Sequence, residues 1–84
     1  MTTRYRLYTE RFPNIAEITA RYFDGFSIVE SVGYWQGIAE LSVIVEIITS
    51  ESNRWRIDAL REFIKTANNQ QSVMLTIEPV TAEF

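Results

Sequence analysis

Glu30 and Glu46, with Arg4 and Arg6, stand in segments that are otherwise apolar, aromatic or β-branched, and this marks them as the residues best placed to do chemistry. Neighbouring carboxylates can share acid–base work, and a guanidinium grips a carboxylate or phosphate through its planar fork. Little else in the chain supports catalysis. Cysteine and histidine are both absent, which removes thiolate and imidazole nucleophile pairs, disulfides and the usual zinc and haem ligands. No EF-hand loop and no glycine-rich phosphate loop occurs. The residues therefore point to a protein that binds rather than catalyses, with no cofactor and no metal.

Two further groups carry binding potential. Gly33-Tyr34-Trp35-Gln36-Gly37 sets two aromatic rings beside two glycines; the rings offer stacking faces with polar tips and glycine permits close approach. Trp35 reads first as a plug for the core, and Tyr34 is the better stacking candidate. Asn68-Asn69-Gln70-Gln71 is a run of uncharged amides that serves either as a polar turn or as a reader of a base or sugar edge.

These residues must be positioned by short alternating elements. Tyr5 to Glu10 alternates as a strand. Asn14 and Glu17 have capping-box spacing, Ile15, Ile18 and Tyr22 recur at helical spacing, and Asp24-Gly25 ends that helix. Phe26 to Trp35 and Leu41 to Thr49 read as strands joined by a Gln36–Glu40 loop. Ser50 to Asn53 caps a second helix with Ile57, Leu60, Ile64 and Ala67 on its buried stripe. Asn68-Asn69 stops it, and Gln71 to Glu78 is a fourth strand ended by Pro79. The order β-α-β-β-α-β predicts an α+β, ferredoxin-like sandwich, a four-stranded antiparallel sheet with two helices on one face, in one domain over residues 1–84.

With Trp35 placed opposite Leu41, Glu30 and Glu46 lie side by side on the face the helices leave open, near Arg4, Arg6 and Tyr8. This cluster is either an ion-pair network that sets register or subunit pairing, or a polar pocket whose carboxylates and arginines hold a ligand. In that register, apolar residues occupy both faces of the hairpin. The uncovered face calls for a second copy of the chain, or for the C-terminal tail folded across it.

Bulk properties narrow the partners. A net charge of −3, with no long basic run, disfavours polymeric nucleic acid. The N-terminal Met1-Thr2-Thr3-Arg4-Tyr5-Arg6 lacks a signal-peptide core, and Leu41 to Ile48 is too short to span a bilayer. The expected location is the cytoplasm, away from membranes.

The runs Tyr5-Arg6-Leu7-Tyr8-Thr9-Glu10, Tyr22-Phe23-Asp24-Gly25-Phe26, Gly33-Tyr34-Trp35-Gln36-Gly37, Glu46-Ile47-Ile48 and Asn68-Asn69-Gln70-Gln71-Ser72-Val73 resemble small proteins encoded by bacteriophages and prophages. A looser likeness, through Asp-Gly-Phe, Gly-x-Trp and Gln-x-x-Val, is to a larger bacterial family of unknown function. The resemblance implies a phage accessory protein of the host bacterial cytosol with an anti-defence role, sequestering a small nucleotide-like molecule as a homo-oligomer. The alternatives are a protein-interaction module that blocks a host protein, and a minor structural phage component. The ligand-binding candidates are Arg4, Arg6, Tyr8, Glu30, Tyr34, Trp35, Glu46, Asn68, Asn69, Gln70 and Gln71.

Overall fold

A computed structural model describes residues 2–84; Met1, the first residue of the N-terminal stretch considered above, lies outside them. Strand β1 spans Thr2–Glu10, helix α1 Ile15–Ala20, strands β2 and β3 Ser27–Trp35 and Ile38–Ser50, helix α2 Arg54–Ala67, and strand β4 Met74–Pro79. A 3₁₀ turn, Glu51–Asn53, leads into α2. The sheet is antiparallel with order β2-β3-β1-β4, so the expected ferredoxin-like α+β arrangement is the one found.

Alternation along β1 divides the molecule. Thr3, Tyr5, Leu7 and Thr9 are buried, while Arg4, Arg6 and Tyr8 between them are half-buried. Val43, Val45 and Ile47 of β3 join Tyr5 and Leu7 beneath Ile57, Leu60 and Ile64 of α2 and Ile15 and Ile18 of α1. Both helices thus cover one face, and burying each large aliphatic side chain contributes about 1.5–3 kcal/mol. Ala67, expected on the buried stripe, is exposed at the last position of the helix.

The hairpin differs from expectation in a consequential way. Gln36 and Gly37 form a two-residue turn with φ of 51° and 79°, the doubly positive pattern whose twist matches paired strands. Trp35 therefore pairs with Ile38, not Leu41. The shift is three residues, an odd number, and an odd slip sends β2 side chains to the opposite face. Val29, Ser31, Gly33 and Trp35 consequently share the open face, whereas Ile28, Glu30, Val32 and Tyr34 share the helix side with Val43 and Val45.

The end of the first helix and the start of the last strand also move. Asn14 makes no side-chain capping bond, so the Asn14–Glu17 box does not form, and α1 ends at Ala20, ahead of Asp24. The second helix ends as expected at the asparagines. Asn69 takes a φ of 49°, its amide donates to the Thr66 carbonyl and that of Gln70 donates to Lys65, the paired bonds of a Schellman end. Strand β4 begins at Met74, because Gln71 and Ser72 complete the turn. The tail does not cross the open face: the Val80 amide extends the ladder by donating to the Thr2 carbonyl, and Phe84 is fully exposed.

Two substitutions test this core and turn. Leu60→Ala is expected to lower stability by about 2–5 kcal/mol in urea unfolding. Gly37→Ala, forced into a positive φ, is expected to cost about 1 kcal/mol without moving the core.

Candidate functional site

The open face of the sheet holds most of the candidate residues, and it splits into two parts. Across its middle, β1 is tied to both neighbours by charge. Arg6 Nε donates to Glu46 Oε2 at 2.8 Å on β3, and Arg4 forms an ion pair with Glu78 on β4. These pairs follow from register, since Arg6 lies opposite Glu46 and Arg4 opposite Glu78. The Glu46 hydrogen bond holds the Arg6 guanidinium in its charged form, above its ordinary range. Both arginines of β1 already have a carboxylate, so neither is a vacant anion anchor.

Glu30 does not lie beside Glu46. Its partner across the hairpin is Val43, and it projects on the helix side, 76% exposed along its side chain and 3.4 Å from Arg11. The odd register shift separates the two carboxylates, and the carboxylate pair needed for shared acid–base work is not assembled. Arg11, which the sequence reading passed over, also donates to the carbonyls of Ser31 at 3.2 Å and Ser42 at 3.4 Å. It bridges the hairpin to the end of β1. Its only sequence signal is a lone arginine directly after an alternating run.

The second part is a groove at the far end of the same face. Beyond Arg11 the hairpin continues without support from β1, as an arm over residues 32–41. The groove, about 800 Å³, lies between this arm and the turn after α2. Tyr8, Ile44 and Met74 line its floor, Trp35 and Glu40 come from the arm, and Gln71 borders it from the turn. Trp35 is 68% exposed and does not plug the core; its register beside Ile38 places it past the last helix-covered residues. Tyr34 also borders the groove, although its pairing with Ala39 puts the side chain on the helix side.

The amide run is held in place by β1. Gln70 Nε2 donates to Thr9 Oγ1 at 2.6 Å, and the Glu10 amide donates to Gln70 Oε1 at 3.3 Å. Gln70 Oε1 thus satisfies the Glu10 amide, which lies beyond the last β1–β4 pair at Tyr8 and Met74. Asn68 Nδ2 donates to Glu10 Oε2 at 3.3 Å. Asn69, Gln70 and Gln71 border the groove and Asn68 does not. Of the sequence candidates, the fold gathers Tyr8, Trp35, Tyr34, Asn69, Gln70 and Gln71 there, and leaves Arg4, Arg6, Glu30, Glu46 and Asn68 outside.

Among the described residues no cluster of three or more acidic side chains is arranged to hold a metal, and no helix is long and apolar enough to cross a membrane.

Residues 8–84 match the family model described as "Protein of unknown function (DUF3574)". The chain belongs to this family. No curated protein matches it in sequence. Among solved structures, it is similar to a DUF3240 family protein from Shewanella baltica OS155, with TM-score 0.69, 14% identity, and coverage of 99% of this chain and 93% of that one. It is also similar to the periplasmic divalent cation tolerance protein CutA from Archaeoglobus fulgidus, with TM-score 0.65, 12% identity and coverage of 100% and 88%. CutA1 from Oryza sativa gives TM-score 0.62, 19% identity and coverage of 100% and 84%. At these identities the likeness is one of fold.

The Gln70 clamp and the Arg6–Glu46 pair are separable by mutation. Gln70→Ala is expected to destabilise by about 1–2 kcal/mol, read as a lower urea midpoint, since it strips partners from the Glu10 amide and Thr9. Arg6→Ala should also lower the midpoint by stranding Glu46, and adding Glu46→Gln should recover part of that loss.

Proposed function

We propose that the protein is a non-catalytic, self-associating binder of a small nucleotide-like molecule, held in the groove between the hairpin arm and the turn after α2. The observation that carries this reading is the groove itself: an exposed indole at one side, apolar residues between, and Gln71 bordering the other side. Such a combination suits a flat heterocycle with a hydrogen-bonding edge, because stacking rewards the ring and amides both donate and accept. Since Arg4 and Arg6 are paired with carboxylates outside the groove, the base-and-sugar part of the ligand, rather than its phosphate, supplies the recognition.

Self-association rests on the arm. Val32, Tyr34, Trp35, Ile38 and Leu41 are all exposed there, on both faces of a ribbon that neither helix reaches. A second copy of the chain is the occupant that answers this, because the same apolar ribbon on each copy is self-complementary about a symmetry axis. The groove then lies at the seam between copies. The motif resemblance supports a setting in which a phage accessory protein sequesters a host signal in this way. Docking of the same arm onto a host protein is the second reading, favoured by the same exposed ribbon.

Light scattering at micromolar concentration is expected to give a multiple of the monomer mass, and Trp35→Glu with Ile38→Glu is expected to yield a folded monomer. Thermal unfolding against nucleosides, nucleotides, cyclic dinucleotides and ADP-ribose derivatives should show one selective stabilisation, about 2.7 kcal/mol at a hundredfold excess over the dissociation constant. Gln71→Ala should remove it. A monomeric wild-type protein defeats the self-association, and a flat panel with a folded oligomer turns the reading to a protein partner.

A further inference from the structure

On the helix side of the molecule, the segment that follows α1 and the start of α2 border a hollow of about 440 Å³ lined by Arg21, Tyr22, Phe23, Asp24, Trp55 and Arg56, with Ala20 at its edge. Neither face of the sheet contributes to it. Trp55 keeps 64% of its surface exposed, an uncommon position for an indole on a helix that has an apolar core to join.

The basic side chains of the protein divide into two groups. Arg4, Arg6, Arg11 and Arg54 each have a carboxylate partner within ion-pair distance. Four basic side chains have none among the described residues, although acidic side chains outnumber basic ones by eleven to eight: Lys65, Arg61, which donates to the Val73 carbonyl, and the two that line the hollow, Arg21 and Arg56. Both instead lie over aromatic rings: Arg21 Cζ is 5.5 Å from the centre of Phe63 and Arg56 Cζ is 5.2 Å from the centre of Trp55. Phe63 is itself fixed edge-on by Tyr22, at 6.3 Å between ring centres. A stacked guanidinium uses its flat face for the ring and keeps its in-plane N–H donors free. Two ordered, unneutralised forks thus border one hollow beside an accessible indole.

We propose that this hollow binds a small planar oxyanion, an aromatic ring bearing a phosphate or carboxylate, with the ring against Trp55 and the charged group between Arg21 and Arg56. Two guanidiniums give such a group bidentate, charge-assisted bonds, and the indole adds stacking that an inorganic ion cannot collect. Asp24 is the one carboxylate lining the hollow. It opposes the anion and restricts the site to ligands whose ring contributes to affinity.

The test uses Trp35→Phe protein, in which Trp55 is the remaining tryptophan, titrated with phenyl phosphate and with benzoate while indole fluorescence is followed. Saturable quenching is expected from at least one, with inorganic phosphate and phenol each binding at least roughly tenfold more weakly. Arg21→Ala and Arg56→Ala should each weaken binding by roughly tenfold. Asp24→Asn should strengthen it, an outcome that mere loss of folding cannot produce. Gln71→Ala should leave it unchanged, which separates this site from the sheet groove. No saturable quenching, equal binding of phenol, or insensitivity to both arginine substitutions would overturn the proposal.

Discussion

Ile57, Leu60 and Ile64 of α2 press onto Tyr5, Leu7, Val43, Val45 and Ile47, and every other orientation in the sheet is a consequence of that contact. Once these residues are turned toward the helix, strict alternation turns Arg4, Arg6, Tyr8, Ile44, Glu46 and Ile48 away from it. The open face is therefore defined by the core, and the positions of its charges are not free to vary. The same rule carries β2 along through pairing with β3, which places Val29 and Trp35 on the open side and Glu30 with the helices.

The face so created is polar at its centre and apolar at its arm end. Ion pairs from β1 to β3 and to β4 cross-link the three strands where they are continuous, and solvent exposure keeps such pairs modest in energy. They set pairing more than they add stability. Where β1 stops, Arg11 and Gln70 take over, one reaching the hairpin and the other satisfying the last β1 groups. The groove exists because these two side chains hold the arm and the turn at opposite edges of a strand that has run out.

Element order and the composition of the core were readable because both depend on periodicity within a segment. Ile57, Leu60 and Ile64 repeat at helical spacing, and the alternation of Tyr5 to Glu10 needs no partner to be seen. The relation between β2 and β3 depends on turn length, and that was hidden: Glu40 and Ala39 look like loop residues, and glutamine at Gln36 is a weak advertisement for a positive φ. Misplacing Trp35 by three residues reversed one strand's faces and brought Glu30 to Glu46. Asn14 and Glu17 show the same lesson locally, since capping spacing is present but the helix entry geometry does not use it. The docking of Gln70 onto Thr9 joins residues too far apart in the chain for spacing to reveal.

The order of the sheet also bears on how the protein reaches its native state. The strand made first, β1, lies in the interior of the sheet, and its partners are the third strand and the last. Thr3 meets Thr49 on one side and Pro79 on the other. During synthesis one edge of β1 waits for β3 and the other for β4, the last strand of the sheet, while the β2–β3 hairpin can close locally as soon as it is made. Closing such long loops slows folding, because their entropy is lost before the distant contacts form. The hairpin is thus the natural template on which β1 later docks, and β4 is the strand that locks it in.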